Sequence, residues 1–345
     1  MTILLTGFTG NVGVEIARQL APNRVFALVR DLKHAPRLDG VTLVKGNLEC
    51  LPAFIQGDVE AIIHCAAAVE FKRSLEELRR TNVDGVAALL DFARSCPRLR
   101  RFIQVSTICV CGDRTGPTPE APLPEAPHFV NPYEQSKWEA ERLVLAAELP
   151  AEIVRLAIVA GSERDGSVRR PGALHHALYW LYKGLIPMIP GTAESRVDLI
   201  STEFAATVLA AALRSAPEPG RIVHASAGTE SPKLGELLDF LAGFFSQHHR
   251  GWASGAVSRP DIVDRETFTL FEKSVMQSGD LLFRRVCDDA QSFLPMLLYP
   301  RTMATSLAKS VPLADWRTLA RRVASWLIET DWNRKPTTTP AYDAA

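Results

Sequence analysis

The sequence predicts an α/β fold built on a doubly wound parallel sheet, and three observations predict it. Short, almost wholly apolar runs recur through the first half of the chain: TILL from residue 2, RVFALV from 24, VTLV from 41, EAIIHCAA from 60, RFIQVS from 101 and AEIVRLAIV from 151. Segments of helical periodicity separate them, as with Leu75, Leu78, Val86, Leu89, Leu90 and Phe92 after the fourth run. The first run passes without interruption into the glycine-rich turn TGFTGNVG and an amphipathic segment, EIARQL. Strands lacking polar alternation are buried on both faces, which is the condition of parallel strands covered by crossover helices.

Each glycine of the turn has a task. Gly7, Gly10 and Gly13 stand three residues apart between a strand and a helix. That spacing serves a tight turn, close approach of main chain to a pyrophosphate, and close packing of helix on strand. The helix start then offers free N–H groups to the phosphates. The expected fold is therefore Rossmann-type, with Thr6, Gly7, Thr9, Gly10, Asn11, Val12 and Gly13 at a dinucleotide. The second strand ends at Arg30, with Asp31 and Lys33 just beyond. A carboxylate at this place would hold a ribose 2′-hydroxyl, whereas an arginine accommodates a 2′-phosphate. Arg30 occupies the strand end itself, so NADP(H) is expected rather than NAD(H).

At 345 residues the chain can bury a sizeable core in one large domain or two. The expected division is an NADP-binding domain over 1–161, its sheet completed by strands near 197–200 and 221–225. A smaller, mainly helical substrate-binding region spans 162–332, and a flexible tail spans 333–345. Thirty-nine basic and 39 acidic side chains give a formal charge of zero, so no field attracts nucleic acid or an anionic membrane. Six cysteines show neither disulfide-scaffold nor zinc spacing, and no metal site is expected. Cys109 and Cys111 alternate within ICVC and fit buried strand thiols better than a metal pair. The first residues enter a strand with no leader signature. The stretch ALHHALYWLYKGLIPMIPG is too polar and broken to span a membrane. A reducing, cytoplasmic location is expected, and a homodimer stays open.

The segment NPYEQSKWEAERL, from residue 131, sets Tyr133 and Lys137 one helical turn apart, where side chains are neighbours. Alone, such a pair is most often a surface helix. Reduction of a carbonyl would use such a pair: the oxyanion must receive a proton, and an unperturbed tyrosine near pKa 10 holds its own too tightly at neutral pH. An adjacent ammonium lowers that value.

Taken together, TGFTGNVG, GNL at 46–48, HCAA at 64–67, TNVDG at 81–85, VSTICVCG and YEQSK resemble the extended short-chain dehydrogenase/reductase superfamily. The resemblance implies that Tyr133 is the acid/base, that Lys137 tunes it and holds the nicotinamide ribose, and that Thr107 gives a second hydrogen bond to the substrate oxygen. It also implies cofactor contacts at Asn47 (where an aspartate is usual), Leu48, Ala66, Ala67, Tyr133, Lys137 and Ile158, and a structural role for Asn82. Arg155-Leu156-Ala157 departs from the family's Arg-Pro. His64 fits a satisfied core histidine better than a catalyst.

Three segments resemble the fatty acyl and carrier-protein thioester reductases of the male-sterility type: HCAAAVEF with Phe71, NPYEQSKWEAE, and RVDLISTEFAA at 196–206 with Ser201 where proline is usual. SFLPMLLYPRTMATSLA resembles their C-terminal part. This implies an NADPH-dependent reductase of an acyl thioester, carried on coenzyme A or a carrier protein, giving aldehyde and, after a second hydride, alcohol. The alternatives are an oxidoreductase of simple ketones or alcohols, of steroid- or flavonoid-reductase type, and a non-catalytic NADP-binding regulatory protein. The apolar residues Leu174, Leu178, Trp180, Leu181, Leu185, Ile186 and Met188 are expected either to roof a substrate pocket or to pack as a cap helix. LLDFLAGFF, from 237, is expected in the core.

Overall fold

The computed structural model describes residues 1–71, 73–248, 256–290 and 293–332. The tail expected over 333–345 lies outside them. The first strands are β1 (Thr2–Thr6), β2 (Arg24–Val29), β3 (Val41–Lys45), β4 (Ala61–His64) and β5 (Arg101–Thr107). They are followed by β6 (Gly116–Thr118), β7 (Ala151–Leu156), β8 (Ile158–Gly161), β9 (Met188–Pro190), β10 (Leu199–Ser201), β11 (Ile222–Ala225), β12 (Asp261–Val263) and β13 (Arg301–Met303). The helices beside the early strands are α1 (Gly13–Gln19), α2 (Leu75–Arg79), α3 (Gly85–Arg94) and α4 (Pro132–Leu145). Then come α5 (Ala173–Tyr182), α6 (Thr202–Arg214), α7 (Leu234–His248), α8 (Arg265–Ser278), α9 (Leu281–Ala290), α10 (Leu294–Leu298) and α11 (Trp316–Glu329).

Seven strands form one parallel sheet in the order β11-β7-β5-β4-β1-β2-β3. The chain builds outward from β1 in one direction, then returns and builds through β4 in the other. That reversal opens a crevice at the carboxyl ends of β1 and β4, where ligands of doubly wound sheets bind. Ile3 and Leu5 face the layer made by α1 and α6, while Leu4 and Ile62 face the layer made by α3 and α4. All four side chains are fully buried. Burial of each contributes roughly 1.5–3 kcal/mol, so the apolar runs hold the sheet from both sides. No described helix is long and apolar enough to cross a membrane.

Two expectations about strands need correction. The strand near 221–225 does complete the sheet, as β11, but the one near 197–200 does not. The backbone splits between Ala157 and Ile158: Ala157 N still donates to Ala225 O at 2.9 Å, whereas Ile158 N donates to Asp198 O at 3.0 Å. Beyond that point β8 leaves the sheet and pairs with β10 in a two-stranded ribbon. ICVC is a 3₁₀ turn rather than a strand. The Thr107 hydroxyl accepts from Cys109 N at 3.2 Å, which satisfies that amide locally and turns the chain at the end of β5. Cys111 is buried and Cys109 only partly so.

The C-terminal region packs α5, α7 and α11 around their own core, including Leu178, Leu181, Leu238, Leu241, Phe245, Val323 and Leu327. LLDFLAGFF lies in α7 and contributes to it, as expected.

Candidate active site

At the end of β1 the chain turns through Gly7, whose φ is +73°. A Cβ there would lie 2.5 Å from Ala66 N, and one at Gly13 would lie 2.2 Å from Gly7 O. These two glycines let the turn nest between β4 and the start of α1. Gly10 differs: its Cβ would meet only Gly7 O within 4 Å, at 3.2 Å, so its outer face opens to the crevice. No side chain caps the start of α1. Free main-chain donors and a glycine face that any side chain would fill suit the phosphates of a dinucleotide. Thr6 holds the turn from beneath: its Oγ1 accepts from Ala66 N at 3.2 Å and shares a 2.6 Å hydrogen bond with His64 Nδ1. His64 is buried, and burial first, then the Lys137 charge, pushes its pKa down to about 3. It stays neutral, with Nε2 unpartnered among the described residues.

Tyr133 and Lys137 sit on the first two turns of α4. Asn131 caps that helix by accepting from Glu134 N at 3.0 Å, and Pro132 begins it. Between α2 and α3 the chain takes a π-helical turn, Arg80–Asp84, that turns Asn82 inward. Its side chain donates to Ala68 O at 2.9 Å and to Ser136 Oγ at 3.0 Å, and accepts from Ala68 N at 2.8 Å. Ser136 Oγ in turn donates to Tyr133 O at 2.8 Å. The loop after β4 is thereby tied to α4, and the Phe71 ring meets the Tyr133 ring edge-on, centroids 5.1 Å apart.

Electrostatics at the pair differ from expectation. Lys137 Nζ donates to Val105 O at 2.9 Å, and burial pushes its pKa down to about 8 against the raising effect of Glu141. Burial raises the Tyr133 hydroxyl well above its ordinary value, with Cys109 and Glu134 adding to it and a hydrogen bond with Thr107 opposing. The expected lowering by lysine is absent: Lys137 does not figure among the causes of the shift, and desolvation of the phenolate leads them. Tyr133 is thus held in its protonated form. Glu134, buried beside it, is pushed up to about 7 by burial although Val130 N and Asn131 donate to it.

A cavity of about 360 Å³ joins these groups. It is lined by Gly7, Gly10, Asn11, Val12 and Gly13 of the turn, by Thr107, Tyr133, Lys137, Ala67 and Ile158, and by the apolar side chains of Val69, Phe71, Leu174, Phe293 and Met296. Thr6, Thr9, Arg30, Asn47, Leu48 and Ala66 do not line it. Arg30 is exposed at the end of β2. Asp31 is engaged locally by Lys33 N and His34, with His34 chiefly holding its carboxyl below the usual range. Asn47 Oδ1 accepts from Glu49 N and Cys50 N, and Leu48 packs under Gly85. Arg155 is fully buried in a two-point pair with Glu141.

Of the apolar residues expected as a roof, only Leu174 reaches the cavity. Leu178 and Leu181 belong to the C-terminal core, and Trp180 is buried with Nε1 donating to Asp289 at 3.1 Å. The roof comes instead from the Arg170–His175 segment and from Phe293 and Met296. Arg170, Glu134 and Met296 were not identified from sequence; SFLPMLL carried the one signal that pointed toward Met296. Among the described residues no His, Cys, Asp and Glu cluster could hold a metal ion.

Residues 53–209 match the NAD-binding family described as male sterility protein. The hybrid PKS-NRPS synthetase pydA of Acremonium sp is 30% identical over 246 residues, covering 64% of this chain and 6% of that protein. The chain thus spans a small fraction of the curated relatives it matches. Among solved structures, the terminal R domain from the myxalamid PKS-NRPS biosynthetic pathway superposes with a TM-score of 0.76 at 21% identity, covering 97% of this chain and 92% of that one. A thiolation-reductase di-domain from an archaeal non-ribosomal peptide synthetase gives 0.70 at 18% identity, covering 96% and 76%. At these identities the structures attest the fold.

Proposed function

We propose that this chain, whose residues 53–209 match the NAD-binding family described as male sterility protein, reduces an acyl thioester with NADPH. The observation that carries the reading is that one cavity is lined by the glycine turn, by Thr107, Tyr133 and Lys137, and by the apolar side chains Val69, Phe71, Leu174, Phe293 and Met296. The relatives named as PKS-NRPS synthetases and the neighbours named as reductase domains support a thioester delivered on a carrier. Arg30, exposed where a 2′-phosphate would lie, supports NADPH over NADH.

NADPH, when bound along the glycine turn, supplies the hydride for the thioester carbon. The chain's own groups do the rest. Tyr133, held protonated by burial, donates its proton to the carbonyl oxygen as negative charge develops there. Thr107 offers that oxygen a second hydrogen bond. Lys137, one turn from Tyr133 and held by Val105 O, orients the nicotinamide ribose. The hemithioacetal then breaks its carbon–sulfur bond, giving aldehyde and free thiol, and a second reduction gives alcohol. No cysteine nucleophile is required: burial raises the Cys109 thiol to about 11.

The test is NADPH consumption with a panel of acyl thioesters and ketones, products being identified by mass. Thioesters should release thiol in step with NADPH loss. Tyr133→Phe should lower turnover by about 10²–10⁴-fold while binding NADPH as the wild type does. Consumption with ketones alone, and no thiol from any thioester, would replace this reading with a ketone reductase.

A further inference from the structure

The loop between β8 and α5 crosses back over the glycine turn, and Asn11 fastens it there. Asn11 Nδ2 donates to Arg170 O at 3.0 Å, and Asn11 Oδ1 accepts from Arg170 N at 2.8 Å. Both ends of one carboxamide are therefore committed to the main chain of a residue 159 positions away. With that backbone pinned, the Arg170 guanidinium lies at the turn, its Nη2 donating to Thr9 Oγ1 at 3.3 Å. Arg170 lines the same cavity as Gly7, Gly10 and Gly13. It forms no ion pair with an acid among the described residues, whereas Arg164 on the same loop is engaged by Glu15 and Glu203. TGFTGNVG itself contains no cation.

We propose that Arg170 is the cationic contact of the cofactor's pyrophosphate and that Asn11 is the residue positioning it. The inference rests on the dinucleotide reading above. Main-chain N–H groups can cradle phosphate oxygens but bring no full charge, and a planar guanidinium supplies two parallel charge-assisted bonds to a phosphate. The arginine comes from the loop that continues into Pro171–His175 on the cavity's roof. Pyrophosphate contact and the wall beside Leu174 are thus parts of one strap.

Equilibrium titration of NADPH and NADH, followed by nicotinamide fluorescence, separates this contact from that of Arg30. Arg170→Ala should weaken both dinucleotides by the same factor, about tenfold to a hundredfold, because both carry the pyrophosphate. Arg30→Ala should weaken NADPH alone. Arg170→Lys should recover part of the loss, since charge returns without the planar fork. Asn11→Ala should also weaken both, and should add little to Arg170→Ala because the two act as one unit. Wild-type affinity for both dinucleotides in Arg170→Ala would overturn the assignment, as would a loss confined to NADPH. A wild-type chain that binds neither dinucleotide would overturn the cofactor reading itself, and this assignment with it.

Discussion

Burial governs the protonation of the side chains around Tyr133, and the neighbouring Glu134 makes the effect measurable. Glu134 is 2% exposed, and burial pushes its carboxyl from 4.5 up to about 7. The folded state therefore holds this proton more tightly than the unfolded chain. The group's stabilising share is fully present below about pH 4.5 and is lost as pH rises toward 7, a change of roughly 3 kcal/mol at most. Glu134→Gln has no proton to release and keeps an acceptor for Val130 N. Urea unfolding of the two proteins between pH 5 and 8 should show a decline in the wild type that the variant lacks. Parallel pH profiles would mean that Glu134 is not the group responsible.

The π-helical turn Arg80–Asp84 shows how one element serves the site without touching it. Its extra residue rotates Asn82 toward Ala68 and Ser136, closing a network from the loop after β4 to the first turn of α4. Asn82→Ala would leave the Ala68 amide and carbonyl without their partner, at a cost of about 1–3 kcal/mol. The same change should loosen Phe71 against Tyr133. Hydrogen exchange should accordingly quicken at Ala68 while amides in β1 keep their protection; unchanged exchange at Ala68 would show that the loop is held by other contacts.

Across the whole molecule, the cavity is bounded by the sheet's carboxyl ends on one side and by α10 and the Arg170 strap on the other. Chain-length preference should therefore respond at Met296, which lines the cavity, and not at Leu181, which is buried in the C-terminal core. Met296→Trp would fill space in the cavity, and each methylene excluded forfeits roughly 0.8 kcal/mol. Activity on long acyl thioesters should fall more than on short ones. Leu181→Ala should lower stability by about 2–5 kcal/mol and leave the order of chain lengths as it was. A reversed pattern, with Leu181 and not Met296 altering chain-length preference, would move the acyl site into the C-terminal core.

The strands, the crossover helices and the glycine turn were legible in the sequence because their causes are local. Apolar runs, helical periodicity and three glycines each fix backbone geometry within a few residues. Tyr133 and Lys137 were legible for the same reason, being one helical turn apart. Tertiary structure alone decided where β8 leaves the sheet, since at Ala157 and Ile158 two acceptors, Ala225 O and Asp198 O, compete for consecutive amides. It also decided which apolar residues face the cavity and which face the core. Leu174 and Leu181 look alike in a sequence, lie on one helix and share the C-terminal core, yet only Leu174 also lines the cavity. Arg170 lies 159 residues from the Asn11 that holds it, a separation that no local pattern encodes. The ionisation of Tyr133 likewise depends on desolvation, which is a property of everything packed around a group rather than of its neighbours in the chain.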